Sequence, residues 1–196
     1  CDHMEGPGSS PFLLGDRLML HMDGGDVQFM LALDPATGDT LWRSERDREL
    51  LQSLPPDLRK AYATPIPVRV GEQIQLVSTA AGVTYGLDPQ SGRELWRVRH
   101  GGFSMSSRAL VFEGAVLVNT GFMRPELWSL QLAPSAANGG ATQVQVNWKA
   151  VRGMPTMASP VLVGDQLFTV SDGGVASCLD ARTGRVLWKE RLSGPF

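Results

Sequence analysis

The fold follows from one ten-residue pattern, which the chain carries first as Leu33-Asp34-Pro35-Ala36-Thr37-Gly38-Asp39-Thr40-Leu41-Trp42. The pattern returns as Leu87-Asp88-Pro89-Gln90-Ser91-Gly92-Arg93-Glu94-Leu95-Trp96 and again as Leu179-Asp180-Ala181-Arg182-Thr183-Gly184-Arg185-Val186-Leu187-Trp188. In all three copies the aspartate stands eight residues before the tryptophan. A repeat with the same internal spacing indicates an architecture built from repeated structural units.

Each residue type in this pattern has a local structural reason. An aspartate can accept hydrogen bonds from the backbone amides just ahead of it, as in an Asx turn. Glycine suits the left-handed residue that ends such a turn, so we expect a positive φ there. The tryptophan places a large apolar ring on the next strand, where we expect it to be buried, with Trp188 more exposed than the others. The pattern therefore predicts strand, tight hairpin and strand, with structural roles for Asp34, Asp88, Asp180, Gly38, Gly92, Gly184, Trp42, Trp96 and Trp188.

Apolar runs separated by turn residues precede each copy and predict antiparallel strands in a meander, four to a blade. A degenerate copy lies between the second and third, and it ends at Trp148 after a longer loop, residues 133–142, in place of the hairpin. The four tryptophans are then equivalent, with spacings of 54, 52 and 40 residues. We predict blades at residues 9–43, 63–97, 106–149 and 158–190. Residues 44–61 interrupt the pattern and predict a short helix or ordered loop that connects two blades or contacts a partner.

The pattern Ala-x-Asp-x-x-Thr-Gly-x-x-x-Trp resembles the repeat of the PQQ-type β-propellers. Ala32, Asp34, Thr37, Gly38 and Trp42 match it in the first copy, whereas glycine and cysteine replace the leading alanine in the other two. That group includes quinoprotein alcohol dehydrogenases and outer-membrane assembly scaffold lipoproteins of the BamB type. The resemblance covers about residues 9–192. It implies an all-β propeller of four-stranded antiparallel blades, in which the tryptophan packs between neighbouring blades.

The resemblance also implies a ring of seven or eight blades, so that the four blades of this chain would be a fragment whose partners include the missing blades. Residues 191–196 follow a tryptophan strand and favour a cut within an interblade linker. A closed four-bladed ring is the alternative. Cys1 is either the lipid-bearing cysteine of a mature lipoprotein or a fragment boundary.

Composition limits the classes of function. The formal net charge is −2, which gives no electrostatic footprint for nucleic acid. No apolar run approaches the roughly 20 residues that span a bilayer. Signature motifs of hydrolases, zinc proteases and phosphate-binding loops are absent. We therefore interpret the chain as a non-catalytic binding or scaffold propeller of the periplasm or cell envelope, which engages a protein or peptide through its blade loops or edges.

Two further questions concern metal and cofactor. His21, Asp23 and Asp26 fall within six residues in a predicted loop of the first blade and could hold a cation, although a β-turn with solvated acids is the commoner arrangement. His3 and Glu5 could line the same end. Quinoprotein dehydrogenases hold PQQ with Ca²⁺, a catalytic aspartate and a disulfide between adjacent cysteines. This chain has only Cys1 and Cys178, so we expect neither PQQ binding nor catalytic residues. A PQQ-dependent oxidoreductase fragment and a carbohydrate- or small-ligand-binding propeller remain as alternatives.

Overall fold

The structure, a computed structural model, describes residues 6–135 and 141–193. These residues form four antiparallel sheets of four strands, each with its strands in sequential order, which we number as blades one to four. Blade one consists of β1 (Phe12–Leu14), β2 (Arg17–Asp23), β3 (Gln28–Leu33) and β4 (Thr40–Glu45). Blade two consists of β5 (Ile66–Val70), β6 (Gln73–Ala80), β7 (Val83–Leu87) and β8 (Glu94–Arg99). Blade three consists of β9 (Leu110–Phe112), β10 (Ala115–Asn119), β11 (Leu127–Pro134) and β12 (Thr142–Ala150). Blade four consists of β13 (Val161–Val163), β14 (Gln166–Val170), β15 (Val175–Asp180) and β16 (Val186–Arg191).

The apolar cores lie between neighbouring blades. Met19, Met30 and Trp42 of blade one pack against Leu76 and Leu87 of blade two. Equivalent clusters join blade two to blade three and blade three to blade four. A four-stranded sheet with apolar side chains on both faces needs a neighbour on each side, which is the arrangement in a propeller. The chain is thus an all-β propeller segment of four-stranded antiparallel blades, as its sequence predicted.

Strand β5 shows how sequence alternation sets which side chains enter these cores. Ile66, Val68 and Val70 are buried, while Pro67 and Arg69 between them are exposed. This two-residue period is the one expected when successive side chains point to opposite faces. β5 pairs only with β6, so it is an edge strand, where the missing N–H of Pro67 is tolerated.

The motif hairpins have the predicted turn geometry. The carboxylate Oδ1 of Asp88 accepts a hydrogen bond from the backbone N–H of Gln90 at 2.8 Å, and the N–H of Gly92 donates to the carbonyl of Asp88 at 2.8 Å. Asp34 and Asp180 accept the corresponding amide bonds in their own turns. The φ angles of Gly38, Gly92 and Gly184 are 80°, 70° and 70°. The positive φ that the turn interpretation requires is therefore confirmed.

The tryptophans follow the prediction in part. Trp42 and Trp96 are 8% and 6% exposed, whereas Trp188 is 46% exposed. The indole N–H groups of Trp42 and Trp148 each donate to a backbone carbonyl in the motif turn of the next blade. Trp96 faces blade three, whose sequence lacks the Asp-x-x-Thr-Gly motif, and its indole instead donates to Gln75 Oε1 at 2.8 Å. The equivalence of Trp148 with the motif tryptophans is thus visible in its contacts, although its hairpin differs.

The insertion between blades one and two is ordered, as expected. It contains α1 (Arg48–Gln52) and a 3₁₀ turn (Pro56–Leu58). The side chain of Asp47 caps α1 by accepting a hydrogen bond from the N–H of Leu50 at 3.1 Å. Neither helix within residues 6–135 and 141–193 has the length and hydropathy of a membrane span. The candidate residues Cys1, His3 and Glu5, and residues 136–140 of the long loop, lie outside the described residues.

Candidate binding site at the interblade linkers

The segments that lead into the blades run side by side. Residues 59–64 precede blade two and residues 103–108 precede blade three. The N–H of Tyr62 donates to the carbonyl of Met105 at 2.7 Å, and the N–H of Ser104 donates to the carbonyl of Lys60 at 2.8 Å. Ala61 also pairs with Asp23 at the end of β2. Hydrogen bonds between backbones therefore hold the linkers of different blades in fixed relative positions.

Two glycines permit a close approach of the Phe103 and Phe122 segments. Each phenylalanine donates its backbone N–H to the carbonyl of the other, at 3.1 and 2.9 Å. A Cβ atom on Gly102 would come within 2.0 Å of the carbonyl oxygen of Thr120, and one on Gly121 within 2.5 Å of the carbonyl oxygen of Phe103. Both glycines also have positive φ. The rings of Phe103 and Phe122 consequently meet edge to face, with their centroids 5.6 Å apart.

A cavity of about 630 Å³ opens where the linkers of all four blades meet, and we call it the linker pocket. Its lining is mainly apolar, and its large side chains are Tyr62, Phe103, Phe122 and Met157. Phe122 is 43% exposed and Met157 is 63% exposed. Asp57 and Lys60 add one ion pair, with Lys60 Nζ 3.4 Å from Asp57 Oδ1. The pocket has the size and the apolar character of a site for one or two large side chains or a small ligand.

The residues of the linker pocket do not fit a quinone cofactor with Ca²⁺. Calcium takes six to eight oxygen ligands, and Asp57 supplies the one carboxylate in the described lining, where Lys60 already pairs with it. Across the described ranges, no group of three or more histidine, cysteine or carboxylate side chains could hold a metal ion. Cys178 is a free, buried cysteine in blade four.

The structure changes the interpretation of two of the three metal candidates. His21 and Asp23 do not lie in a loop, as we assumed, but at the end of strand β2, and both are buried. Arg46 Nε lies 3.1 Å from each carboxylate oxygen of Asp23, and His21 Nε2 lies 2.8 Å from Asp23 Oδ2. A guanidinium in this position competes with any cation for the same oxygens. Asp26 is exposed in the following turn.

The buried cluster of His21, Asp23 and Arg46 changes the pKa of the Asp23 carboxyl. Burial of Asp23 by itself would raise the pKa of its carboxyl, but the nearby charges of Arg46 and His21 outweigh burial and hold that pKa below its usual range. Arg46 also donates from Nη2 to Ser78 Oγ of blade two at 2.7 Å, and its guanidinium lies over the ring of Tyr85. Through these contacts Arg46, at the start of the insertion, connects blade one to blade two. The contacts indicate a structural role for the cluster.

No sequence motif predicted the linker pocket. Its four large side chains come from segments far apart in the chain, and none belongs to the repeated motif. Aromatic residues beside glycines in linkers, as in Gly102-Phe103 and Gly121-Phe122, were the one available signal. Because the linkers converge only through the packing of the blades, no local rule could have placed these side chains together.

Comparison with known proteins gives matches of two kinds, by sequence and by fold. A model of the family described as outer membrane protein assembly factor BamB matches residues 4–117 and 126–196. The outer membrane protein assembly factor BamB of Alteromonas naphthalenivorans is 29% identical over 210 aligned residues, which cover 82% of this chain and 50% of that protein. The chain thus spans about half the length of this curated relative.

Several solved structures share the fold of this chain. A europium-containing methanol dehydrogenase superposes with a TM-score of 0.66 at 14% identity, covering 95% of this chain and 46% of that one. Quinohemoprotein alcohol dehydrogenase from Comamonas testosteroni superposes with a TM-score of 0.64 at 13% identity, covering 95% and 35%. At such identities, the likeness shows a shared propeller fold alone.

Proposed function

The chain belongs to the family of the outer membrane protein assembly factor BamB, with PQQ-type repeats, and from this premise we propose that it is a non-catalytic scaffold that binds a protein partner during outer-membrane protein assembly. The proposal places the protein in the periplasm or cell envelope. Its partner is a protein or an extended peptide, and nucleic acid has no part in it. The relative from Alteromonas naphthalenivorans, an outer membrane protein assembly factor, supports the class of function.

The observation that carries the proposal is the linker pocket. Three of its four large side chains, Tyr62, Phe103 and Phe122, stand on segments fixed by backbone hydrogen bonds. Phe122 and the fourth, Met157, remain substantially exposed. Energetically important contacts in protein complexes are formed by large side chains that fill such preformed apolar pockets. We infer that a partner inserts one or two apolar side chains here, while Asp57 and Lys60 at the same pocket offer polar contacts to its backbone.

The lining of the linker pocket also argues against the alternative of a PQQ-dependent oxidoreductase. A quinone cofactor would require metal ligands and a base beside the reacting atom. The one carboxylate of the described lining, Asp57, pairs with Lys60, and the hydroxyl of Ser106 donates to the carbonyl of Ser104 instead of facing a base. No contact within the described residues specifically favours the carbohydrate-binding alternative. Binding of protein through apolar contacts is therefore the function that this geometry supports best.

We expect Met157→Glu to abolish the scaffold function without unfolding the protein. Met157 is exposed, so a glutamate there is tolerated by the fold, but its charge would lie in the pocket and oppose an apolar partner. The test deletes the gene in its own organism and restores it in variant form. The readout is the amount of folded β-barrel protein in the outer membrane. Met157→Glu should leave that amount several-fold below the level restored by the parent gene.

Val146→Glu is the matched control, because Val146 is also exposed and apolar but lies on β12, away from the linker pocket. This variant should restore the parent level. Immunoblots must show that all variants accumulate equally. Full restoration by Met157→Glu would contradict the pocket as the binding site, and an unchanged outer membrane after deletion of the gene would contradict the proposed function itself.

A further inference from the structure

Met157 is the most exposed of the four large side chains that line the linker pocket. It is 63% exposed, whereas Phe122 is 43% exposed and the other two, Tyr62 and Phe103, are less exposed than Phe122. Met154, three residues earlier in the same linker, is only 3% exposed and packs in the core between blades three and four. Small molecules in solution can therefore reach the methionine of the pocket but not its near neighbour.

The backbone just before Met157 is held by side chains of two blades. Asn119, on β10 of blade three, donates from Nδ2 to the carbonyl of Pro155 at 2.8 Å. The N–H of Thr156 donates to Oδ1 of Asp172, in the turn that follows β14 of blade four, at 3.1 Å. The exposure of Met157 is thus a property of an anchored linker.

The thioether sulfur of an accessible methionine reacts with peroxides. One oxygen atom of the peroxide is transferred to the sulfur, which loses two electrons, while the O–O bond breaks and the second oxygen of hydrogen peroxide leaves as water. The product, methionine sulfoxide, is polar where the thioether is apolar. Methionine sulfoxide reductases return it to the thioether, so that the change is reversible.

The other sulfur atoms of the described residues are mostly shielded from such an oxidant. Cys178 is a free cysteine but is fully buried, and three methionines are fully buried as well: Met19, Met30 and Met105. Met123 is 70% exposed, but it lies outside the described lining of the linker pocket. Because susceptibility to oxidation follows exposure, we expect Met123 and Met157 to react first, and Met157 is the one that can alter the pocket.

We propose that Met157 is an oxidation site through which a peroxide controls binding at the linker pocket. The inference rests on the proposed function, in which a partner inserts apolar side chains into this pocket. The sulfoxide oxygen of an oxidised Met157 loses its contact with water when such a side chain covers it. Burial of a polar group without a hydrogen-bond donor is unfavourable, so oxidation releases the partner and reduction restores binding.

The fold itself does not depend on the oxidation state of Met157. Its side chain is mostly exposed and belongs to none of the apolar cores among the described residues. The methionines that do belong to those cores, such as Met30 and Met154, are buried and shielded from a peroxide. Oxidation at Met157 therefore changes the chemistry of the pocket and leaves the blades intact.

The first experiment locates the modification. The purified 196-residue chain is incubated with hydrogen peroxide under native conditions, and the sulfoxide at each methionine is followed by mass spectrometry of its peptides. We expect Met157 and Met123 to react about tenfold faster than Met154 or more, because reaction follows exposure, with an unchanged circular dichroism spectrum. Reaction of Met157 as slow as that of Met154, or unfolding at the stage when Met157 alone and Met123 are oxidised, would overturn the proposal.

The second experiment tests the consequence in the gene-deletion strain described above. Strains that carry the parent gene, Met157→Leu or Met123→Leu are treated with peroxide, and folded β-barrel protein is compared with the untreated culture of the same strain. The parent and Met123→Leu should show a several-fold fall, whereas Met157→Leu should not respond, because leucine has no sulfur to oxidise. Met157→Gln, which places an uncharged polar group at this position, should show the fall without peroxide.

Equal responses of the parent and Met157→Leu to peroxide would refute the oxidation site, as would full function of Met157→Gln. The two proposals fail separately. If Met157→Glu abolishes function while peroxide leaves the parent unaffected, the linker pocket remains the binding site and only its control by oxidation is rejected.

Discussion

Replacing Trp96 with alanine should lower the free energy of unfolding by about 3–5 kcal/mol, the usual cost of truncating a large aromatic side chain in a core. The ring is 6% exposed and packs between blades two and three with Ile66, Val68 and Val116. Its indole plane also lies against Gly86, where a Cβ atom would come within 2.0 Å of the ring. Alanine would leave a cavity that these rigid backbones cannot fill. The measurement is urea unfolding followed by circular dichroism.

Phe122→Ala provides the matched comparison, because Phe122 is a half-exposed aromatic residue outside the blade contacts. Its truncation removes far less buried surface, so we expect a loss of at most about 1 kcal/mol. An unfolding midpoint for Trp96→Ala equal to that of the parent would show that the tryptophans do not hold neighbouring blades together.

Replacing Arg46 with methionine should also cost about 3–5 kcal/mol at neutral pH, since it removes the guanidinium partner of a buried carboxylate and leaves that charge poorly compensated. The carboxylate of Asp23 would keep only His21 as a close partner. Ser78 would lose its hydrogen bond from Arg46 as well. Methionine has a similar length and preserves the apolar packing, so the loss reports the charge.

The double variant Asp23→Asn with Arg46→Met is the control. It removes both charges of the pair, and we therefore expect it to be more stable than Arg46→Met alone. If the double variant lost the sum of the two single losses, the two side chains would act independently and the account of this cluster would be wrong.

The ion pair of Asp23 and Arg46 also predicts how the free energy of unfolding depends on pH. The folded-state pKa of Asp23 is lowered because Arg46 and His21 outweigh the effect of burial, whereas the unfolded value is about 3.9. Asp23 therefore stabilises the fold fully above about pH 4, and this contribution is lost as the pH falls through the lower folded-state pKa. Between pH 5 and acid conditions, the parent should lose stability more steeply than the double variant.

The blades could be predicted because the contacts that define them are local. Asp88 bonds to Gln90 and to Ser91, two and three residues ahead, so ten residues of sequence contain the whole turn. The tryptophan eight residues after the aspartate then fixes which strand follows. When such a unit recurs, its neighbours must supply the missing half of each core, and the propeller follows.

The buried cluster around Asp23 could not be predicted in the same way. His21 and Asp23 continue the two-residue alternation of β2 from Met19, which places all three side chains on one buried face. In the sequence, the two residues run directly into Gly24-Gly25-Asp26, and this whole stretch was interpreted as a loop. The partner, Arg46, lies 23 residues beyond Asp23 in a segment that interrupts the repeat. Only the folded path of that segment brings the two charges together.

The exposure of Trp188 was expected from its place in the last repeat, but the matching exposure of the blade-one face was not. Leu18 and Leu33 look like ordinary core positions in the sequence. Their partial exposure differs from the burial of Leu76 and Leu87, which the register of the strands shows to be equivalent positions. A comparison of equivalent positions between repeats therefore reveals what single-residue patterns do not.

A binding titration with pyrroloquinoline quinone in the presence of Ca²⁺ tests the central claim, that this propeller is a scaffold and not a redox enzyme, most directly. The purified chain is titrated by calorimetry and then separated from free quinone by gel filtration, with cofactor absorbance read across the protein peak. We predict no saturable heat and no quinone in the protein peak, with or without Ca²⁺. Stoichiometric retention of quinone that depends on Ca²⁺ would contradict the account and assign the chain to the quinoprotein oxidoreductases.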